Sequence, residues 1–312
     1  MQSINKNNNY DHEIDLQELF SILWLGKRII ILMTLFISIL GVVYSLNLPN
    51  IYKSTAILSP ANSSSSISKS LQNYAGLAGL AGVSLPSSTE NTNAIQAMQK
   101  LKSLSFFESS IFPNIFLPDL MAVETWDSKT NTINYKNELY DKKTSTWVRN
   151  YSYPRQKIPS AQESYKVFRT EHFSVSKDSR TDFITINIKH QSPFVAKKWI
   201  DLIVNKINSF YRQKDKLDSE KAVSYLNKQI SSTNLAEVKE AISQIIQDET
   251  RKLALIEAKE YYVFDYIDPP AVMELKSEPQ RALICIMSAV VGVLLGIIIV
   301  FIKHYFFTKK IV

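Results

Sequence analysis

The residue types that most often carry chemistry are few in this sequence and widely spaced. Its four histidines are His12, His172, His190 and His304, and no His-Glu-x-x-His, Cys/His or Gly-x-Ser-x-Gly spacing occurs. Zinc hydrolysis and serine-type catalysis both need those side chains in fixed arrangements. The sequence therefore indicates neither kind of centre.

Two nearby carboxylates, Asp265 and Asp268, come closest to the paired acids that glycan hydrolysis requires. Such a site also needs a pocket, which the sequence does not indicate, so we favour solvated positions at a strand end. The aromatic run at 261–266 could stack on sugar rings, but core and sheet packing is the interpretation we favour. We therefore predict that the protein is not an enzyme and has no catalytic, cofactor-binding or metal-binding residues.

Nucleotide and nucleic-acid binding are not indicated either. The seven glycines form neither a Gly-Lys-Ser/Thr sequence nor a Gly-x-Gly-x-x-Gly fingerprint. The net charge is +7, but basic and acidic residues are interspersed along the sequence. This mixture predicts a solvated surface and no nucleic-acid partner. Gly76, Gly79 and Gly82 recur three residues apart, which suits either close backbone packing or a linker.

Two long uncharged stretches, residues 29–48 and 282–302, must position everything else. At about 1.5 Å per residue, each helix would cross the roughly 30 Å hydrocarbon layer of a bilayer. We therefore predict two transmembrane helices. The only cysteine, Cys285, is then a small apolar residue inside the second span.

The charges beside the spans predict the orientation. The flank 1–28 ends in Lys27 and Arg28, and the flank 303–312 carries three lysines. Short basic flanks stay in the cytoplasm, so both termini are predicted there and residues 49–281 on the outer side of the membrane. The first span lacks a small-residue cleavage site, which argues against a signal peptide.

A short amphipathic helix is predicted before the first span. Leu16, Leu19, Phe20 and Leu23 recur at helical spacing, and Trp24 suits an interfacial aromatic anchor. This helix would contact a neighbouring membrane protein or lie on the membrane surface.

Small residues in the spans predict close helix packing. Gly292 and Gly296 form a small-x-x-x-small pattern that removes side-chain bulk from one face of the second span. Their partner would be Gly41 of the first span or a copy of the helix from another subunit. Coincidence among apolar residues is the alternative.

The segment between the spans combines strand and helix patterns. Alternating residues predict strands at 51–59 and 261–267 and a hairpin of 173–177 with 183–189, all joining one sheet. Ile95, Met98, Leu101 and Leu104 predict a helix over 91–112, and 119–159 is predicted to be irregular with short strands. Ser160 and Glu163 match a capping box that begins a helix to about Arg169. These elements form a predicted α/β base domain, residues 49–192 and 261–281.

Residues 193–260 predict a long helical rod. Ser192-Pro193 begins a helix of about forty residues, or roughly 60 Å, and Ser231–Asn234 interrupts it. Asn234 would cap a second helix. That helix carries a seam at three- and four-residue steps: Leu235, Val238, Ile242, Ile245, Glu249, Leu253 and Ile256. A hairpin and a kinked continuous rod both fit this pattern.

Prolines separate the rod from the second span. Pro269, Pro270 and Pro279 prevent a continuous helix, and Arg281 stands at the start of the span. We treat these four residues as a membrane-exit motif.

Taken together, the sequence resembles the Wzz-type polysaccharide co-polymerases, the O-antigen chain-length determinant family. The resemblance covers nearly the whole chain and is most specific where the proline-rich exit joins the glycine-bearing span. The residues that carry it are Glu13, Ile14, Asp15, Leu16, Trp24, Pro49, Tyr52, Pro159, Ser160, Glu163, Tyr165, Ser192, Pro193, Ala196, Trp199, Phe264, Asp268, Pro269, Lys276, Pro279 and 281–284. Met273-Glu274-Leu275 departs from the pattern, because it occupies the place of the family's middle proline.

The resemblance implies an α+β membrane protein in which two transmembrane helices flank a periplasmic base with long projecting helices. It also implies a ring-shaped homo-oligomer of the bacterial inner membrane. That ring would work without catalysis beside a Wzy-type polymerase, on a growing glycan attached to a lipid carrier. It would set the chain length of O-antigen or a related glycan.

Other functions remain open at this stage. The nearest is a co-polymerase for capsule or exopolysaccharide export, with or without a separate tyrosine kinase. A two-span ligand sensor and a glycan hydrolase or transferase belong to different classes.

Overall fold

The computed structural model describes residues 16–61 and 90–308. These residues fall into two compact units. The span unit extends to Asn50 and resumes at Ser277, and the α/β unit comprises Ile51–Lys276. The glycine spacing at 76–82, His12 and residues 13–15 of the family resemblance lie outside the described residues.

The helices are α1 (Leu16–Leu25), α2 (Lys27–Asn47), α3 (Glu90–Leu101), α4 (Leu117–Met121), α5 (Ala161–Val167), α6 (Pro193–Ser232), α7 (Ala236–Ala258) and α8 (Arg281–Thr308). The strands are β1 (Tyr52–Pro60), β2 (Val123–Asp127), β3 (Thr132–Tyr135), β4 (Tyr140–Asp141), β5 (Thr146–Trp147), β6 (Phe173–Lys177), β7 (Ile184–His190) and β8 (Phe264–Asp268). Short helical turns occupy residues 104–114 and 168–172. The predicted fold class is confirmed, since two candidate membrane helices bracket a mixed helix-and-sheet unit with a long helix.

The span unit consists of α1, α2 and α8. Among the described helices, α2 and the Arg281–Phe306 part of α8 are long and apolar enough to cross a membrane. Both begin slightly earlier than predicted, at Lys27 and Arg281, because a charged residue fits the first turn of a helix that starts in a polar layer. The helix predicted before the first span is present as α1.

The α/β unit is built on one four-stranded antiparallel sheet with strand order β6-β7-β1-β8. Alternate residues are buried along β7, from Ile184 to His190, as expected for a sheet with one covered face. The predicted β6–β7 hairpin, its pairing with the first strand and the return of the aromatic run as β8 are all confirmed.

The first half of α6 covers the buried face of this sheet. Its inward side chains include Trp199, Ile200, Ile203 and Ile207, each at most 3% exposed. They pack with Ile186, Ile188 and Leu58 of the sheet in one hydrophobic core. Burying an aliphatic side chain of this size contributes about 1.5–3 kcal/mol, so this contact stabilises the unit substantially.

Two local predictions need correction. The helix predicted over 91–112 ends at Leu101, because Ser103 caps a new turn by accepting a hydrogen bond from the Phe106 N–H. The capping box is half formed. Ser160 accepts from the Glu163 N–H, but the Glu163 carboxylate pairs with Arg149 instead of turning back to the Ser160 backbone.

The helical rod is a hairpin. Helices α6 and α7 pack along each other, and Lys216 of α6 reaches Glu257 of α7, so the chain reverses direction between them. Leu235, not Asn234, precedes the second helix. The predicted seam is also partly wrong: Leu235, Val238 and Ile245 are exposed, whereas Ile256 is buried.

Candidate functional site

The two candidate membrane helices approach each other closely where α8 has glycine. A Cβ atom placed on Gly292 would lie 2.8 Å from the Thr34 Cα, and one placed on Gly296 would lie 2.8 Å from the Ile30 Cα. Contacts this short are incompatible with a side chain at either position. The small-x-x-x-small pattern therefore faces α2 of the same chain.

The contact continues in both directions along the pair. Gly41, predicted as a partner of the α8 glycines, instead faces the Ser288 side chain. At the other end Gly26 lies against Val300. Because residue numbers rise on one helix as they fall on the other, α2 and α8 are antiparallel with small residues along their common line.

The outward faces of α2 and α8 are apolar and uncovered. Leu35, Ile39, Leu294 and Ile298 are each more than half exposed in the described structure. In water such a surface would be unstable, whereas in lipid it is the expected exterior.

The membrane-exit motif divides between the two units. In the span unit, the Arg281 N–H donates to the Pro279 carbonyl at 3.0 Å and an Nη atom of Arg281 donates to the Asn50 side chain at 3.2 Å. In the α/β unit, Pro269 is exposed and Pro270 is buried directly after β8. Ser54 Oγ of β1 donates to the Ala271 carbonyl at 2.9 Å, which fixes the chain after those prolines.

The base of the helical hairpin is fastened by Asn208, a buried amide on α6. Its Oδ1 accepts from the N–H groups of Tyr262, Val263 and Phe264, and its Nδ2 donates to the Phe264 carbonyl. One side chain thereby satisfies four backbone groups where the chain returns from α7 to the sheet. We name this set of contacts the Asn208 clamp.

Further contacts one and two turns along α6 support the Asn208 clamp. Arg212 donates to the carbonyls of Lys259 and Glu260, and the Tyr262 hydroxyl donates to Asp215 at 2.6 Å. Burial and the neighbouring Asp215 carboxylate raise the pKa of Tyr262 above its usual value, so its hydroxyl stays protonated as the donor. The direction of the hairpin is therefore fixed at its base by polar contacts.

The far part of the hairpin has an open surface. Tyr225 is 62% exposed and Leu235 is 69% exposed, and Val238 and Ile245 are also exposed. Such a row of apolar side chains among charges is a candidate contact surface for another protein chain.

Two histidines that are far apart in sequence meet in the core. The His172 and His190 rings are 5.7 Å apart, and both pack against Trp199. The Ser192 N–H donates to His190 Nδ1, and His190 Nε2 donates to the Asp119 carbonyl. Burial lowers the pKa of His190 to about 4 and also lowers the pKa of His172, so both rings are neutral at pH 7.

The remaining chemical candidates do not assemble a site. Asp265 and Asp268 are both exposed on strand β8, and the aromatic run beside them is largely core, with Tyr262, Val263 and Phe264 buried. Among the described residues no group of three His, Cys, Asp or Glu side chains is placed to hold a metal ion.

The sequence interpretation missed a tandem repeat. The sequence Glu-Thr-Trp-Asp-Ser-Lys-Thr-Asn-Thr at 124–132 returns as Glu-Leu-Tyr-Asp-Lys-Lys-Thr-Ser-Thr at 138–146. In the first copy, β2–β3, Asp127 accepts from the Lys129 N–H and the Thr130 hydroxyl. In the second, β4–β5, Asp141 accepts in the same way from Lys143 and Thr144.

The repeat could have been found by comparing the sequence with itself at an offset of 14 residues, from Asp127 to Asp141. Each copy ends its turn with a residue of positive φ, Asn131 at 50° and Ser145 at 53°. In each copy the aspartate side chain accepts the hydrogen bonds that close the turn.

Comparison with known proteins agrees with the sequence resemblance. Residues 12–111 match the family model described as "Wzz: Chain length determinant protein". No curated protein matches the sequence.

Solved structures that are similar to the chain include the following two. A full-length bacterial polysaccharide co-polymerase matches at 13% identity and a TM-score of 0.44, over 96% of this chain and 100% of that one. A fragment of WzzB, a polysaccharide co-polymerase from Salmonella Typhimurium, matches at 10% identity and a TM-score of 0.35, over 73% of this chain and 100% of that one. Since both TM-scores are below 0.5, the fold is assigned from the elements of this chain alone.

The family match begins before the first span and runs through β1 to the short turn at Ile111, so it includes both the entry into the membrane helix and the first strand of the sheet. The resemblance predicted from the sequence is thus confirmed for residues 12–111, which are similar to the Wzz chain length determinant family.

Proposed function

We propose that this protein is a non-catalytic inner-membrane subunit that regulates the chain length of O-antigen or a related surface polysaccharide. In this role it works with a Wzy-type polymerase on a glycan carried by a membrane lipid. The observation that carries the proposal is the chain length determinant match over residues 12–111.

The proposed topology places both termini in the cytoplasm and the α/β unit in the periplasm. Lys27 and Arg28 at the start of α2 and Lys303 near the end of α8 support it, because short basic flanks are retained on the cytoplasmic side. Alkaline phosphatase inserted after Ser128, at the tip of β2–β3, should be active, and the same enzyme fused at either terminus should be inactive. The opposite pattern would contradict the topology.

We further propose that copies of the chain form a ring. Leu235, Val238 and Ile245 support this arrangement, because apolar side chains on an exposed helix are stabilised by contact with a second copy. The glycine line of Gly41, Gly292 and Gly296 serves it indirectly, since it holds the two spans of each subunit together. The oligomer is measured by mass photometry or native mass spectrometry in mild detergent.

A role without catalysis accords with the buried, neutral histidine pair and the exposed, separate carboxylates of β8. A protein that regulates length needs surfaces for its own copies and for the polymerase, and no reacting side chains of its own. Purified protein that cleaves or transfers glycan would contradict this part of the proposal.

Deletion of the gene tests the proposal directly. The deletion strain should keep surface lipopolysaccharide but lose the preferred band lengths on a gel, and the wild-type gene should restore them. Unchanged banding with loss of capsule or exopolysaccharide would assign the chain instead to a co-polymerase for export. Unchanged lipopolysaccharide and unchanged capsule would contradict both.

A further inference from the structure

A pocket lies where α1 meets the ends of α2 and α8 that carry the basic flanks. Its volume is about 260 Å³. The described residues that line it are Ile22, Leu25, Gly26, Ile29, Val300, Lys303 and His304. Five of these are apolar or glycine, and the two basic residues are consecutive on α8, so the pocket combines an apolar floor with a basic edge.

Backbone geometry fixes the shape of this pocket. Gly26 separates α1 from α2: its N–H donates to the Ile22 carbonyl at 3.0 Å, and its carbonyl accepts from the Ile30 N–H at 3.2 Å. A Cβ atom on Gly26 would lie 2.4 Å from a methyl carbon of Val300. Glycine therefore lets α1 turn against α8, which places Ile22 and Leu25 opposite Val300 and Lys303.

The electrostatic surroundings favour an anion. Residues 19–61 and 279–308 contain no Asp or Glu, and Lys27 and Arg28 lie next to the pocket residue Gly26 in sequence. The Lys27 ammonium group is 4.4 Å from the Trp24 ring centre, which keeps a second cation at this end of the helix pair.

Exposed aromatic rings occur at the same end. Phe20, Trp24, Tyr305 and Phe306 are each more than 60% exposed. Aromatic side chains gather at the level of lipid headgroups, where one edge meets water and the other meets hydrocarbon. The pocket therefore lies at the depth where a phospholipid changes from charged headgroup to acyl chain.

We propose that this pocket binds one anionic phospholipid, with its phosphate at Lys303 and His304 and its glycerol and upper acyl chain against Ile22, Ile29 and Val300. Lysine supplies the charge and histidine a hydrogen-bond donor, and basic pockets between membrane helices are suited to such headgroups. The bound lipid would stabilise the packing of α1 on α8. This inference does not depend on the role in polysaccharide length.

The first test uses wild-type, full-length protein in a neutral detergent. Dioleoyl phosphatidylglycerol should raise the melting temperature in a saturable manner, and dioleoyl phosphatidylcholine should not. Glycerol 3-phosphate should have no such effect, because it lacks the acyl chains. Equal stabilisation by the two lipids, or full stabilisation by glycerol 3-phosphate, would overturn the proposal.

Matched variants locate the effect. Lys303→Gln should weaken the apparent affinity for phosphatidylglycerol about fivefold, the contribution expected of one lysine at an anionic lipid surface. Lys303→Gln with His304→Gln should weaken it further. Lys27→Gln removes the same charge from the same end of the helix pair, but from a residue that does not line the pocket, so it should weaken the affinity less than Lys303→Gln does. Equal losses in Lys303→Gln and Lys27→Gln would indicate general surface attraction and would overturn the pocket.

A cross-linking measurement on wild-type protein keeps the proposal testable if the variants fold poorly. Phosphatidylglycerol with a diazirine in its upper acyl chain should label peptides containing Ile22, Ile29 or Val300, and excess unlabelled phosphatidylglycerol should compete. Labelling spread evenly over the outward faces of α2 and α8 would contradict a defined site.

Discussion

The molecule contains two antiparallel helix pairs, α2–α8 and α6–α7, which are held together by different kinds of contact. The α2–α8 pair brings backbones together at glycine, with Gly292 against Thr34 and Gly296 against Ile30. The α6–α7 pair has few buried side chains beyond Ile256 and is held at its base by polar contacts around Asn208.

The difference follows from the solvent. In lipid there is no hydrophobic gain from bringing apolar side chains together, so close van der Waals contact between backbones must stabilise the pair. In water, polar groups that would otherwise be buried without partners determine where the hairpin leaves the sheet. The same comparison predicts which substitutions disturb each pair.

The largest effect is expected in the span pair. Gly292→Leu with Gly296→Leu would force side chains into the backbone of α2 and should destabilise the pair by about 4 kcal/mol, since overpacking typically costs about 1–3 kcal/mol per site. The melting temperature and the oligomer size of full-length protein in detergent measure the loss, and we also expect weaker control of glycan length.

Val290→Leu with Val293→Leu is the matched control, because both valines are exposed on the same helix. It should leave the melting temperature unchanged. A double glycine variant that melts like this control, with native oligomer size, would show that glycine is not needed for the contact.

The next effect is expected at the Asn208 clamp. Asn208→Ala would leave three N–H groups and one carbonyl without partners in the core and should cost about 3 kcal/mol. Urea unfolding followed by tryptophan fluorescence measures the change. Asn205→Ala, one turn earlier and exposed, should change stability by less than about 0.5 kcal/mol. Equal losses in the two variants would contradict the special role of Asn208.

Lowering the pH should destabilise the α/β unit, which contains the buried histidine His190. The folded-state pKa of His190 is about 4, below the unfolded value, so the unfolded chain binds more protons between these values and stability falls as pH falls. The α/β unit should lose about 2 kcal/mol between pH 7 and pH 5. His190→Gln should be less stable at pH 7 but should show a flatter pH dependence, and an equally steep dependence would implicate other groups.

The smallest effect is expected at the exposed ion pair of the hairpin. Lys216 and Glu257 meet at the surface, where water and salt screen the attraction, so Lys216→Gln should leave thermal stability unchanged. A clear loss would mean that surface charges, and not the Asn208 clamp, hold α6 and α7 together.

The sequence was most informative where a residue pattern is compatible with only one kind of secondary structure. Uncharged runs of about twenty residues predicted α2 and α8, and alternation predicted the strands of the main sheet. It was misleading where periodicity did not imply burial: Leu235, Val238 and Ile245 follow a helical repeat but remain exposed.

Contacts between distant residues were not predictable in the same way. Asn208 is a single polar residue within an apolar helical pattern. Its presence in the sequence does not predict hydrogen bonds to four backbone groups 54 to 56 positions away. The meeting of His172 and His190 could have been anticipated, because the pairing of Phe173 with Ile188 in the β6–β7 hairpin brings the ends of those strands together.

The tandem hairpins have diverged at their last corresponding position. Tyr135 of the first copy donates from its hydroxyl to Asp119, whereas Arg149 of the second copy pairs with Glu163. The two copies thus form two unlike side-chain contacts with neighbouring parts of the same unit. Because each copy carries its own turn, relatives of this chain should gain or lose this region as a whole 14-residue block, such as Asp127 to Tyr140, with the surrounding sheet unaltered.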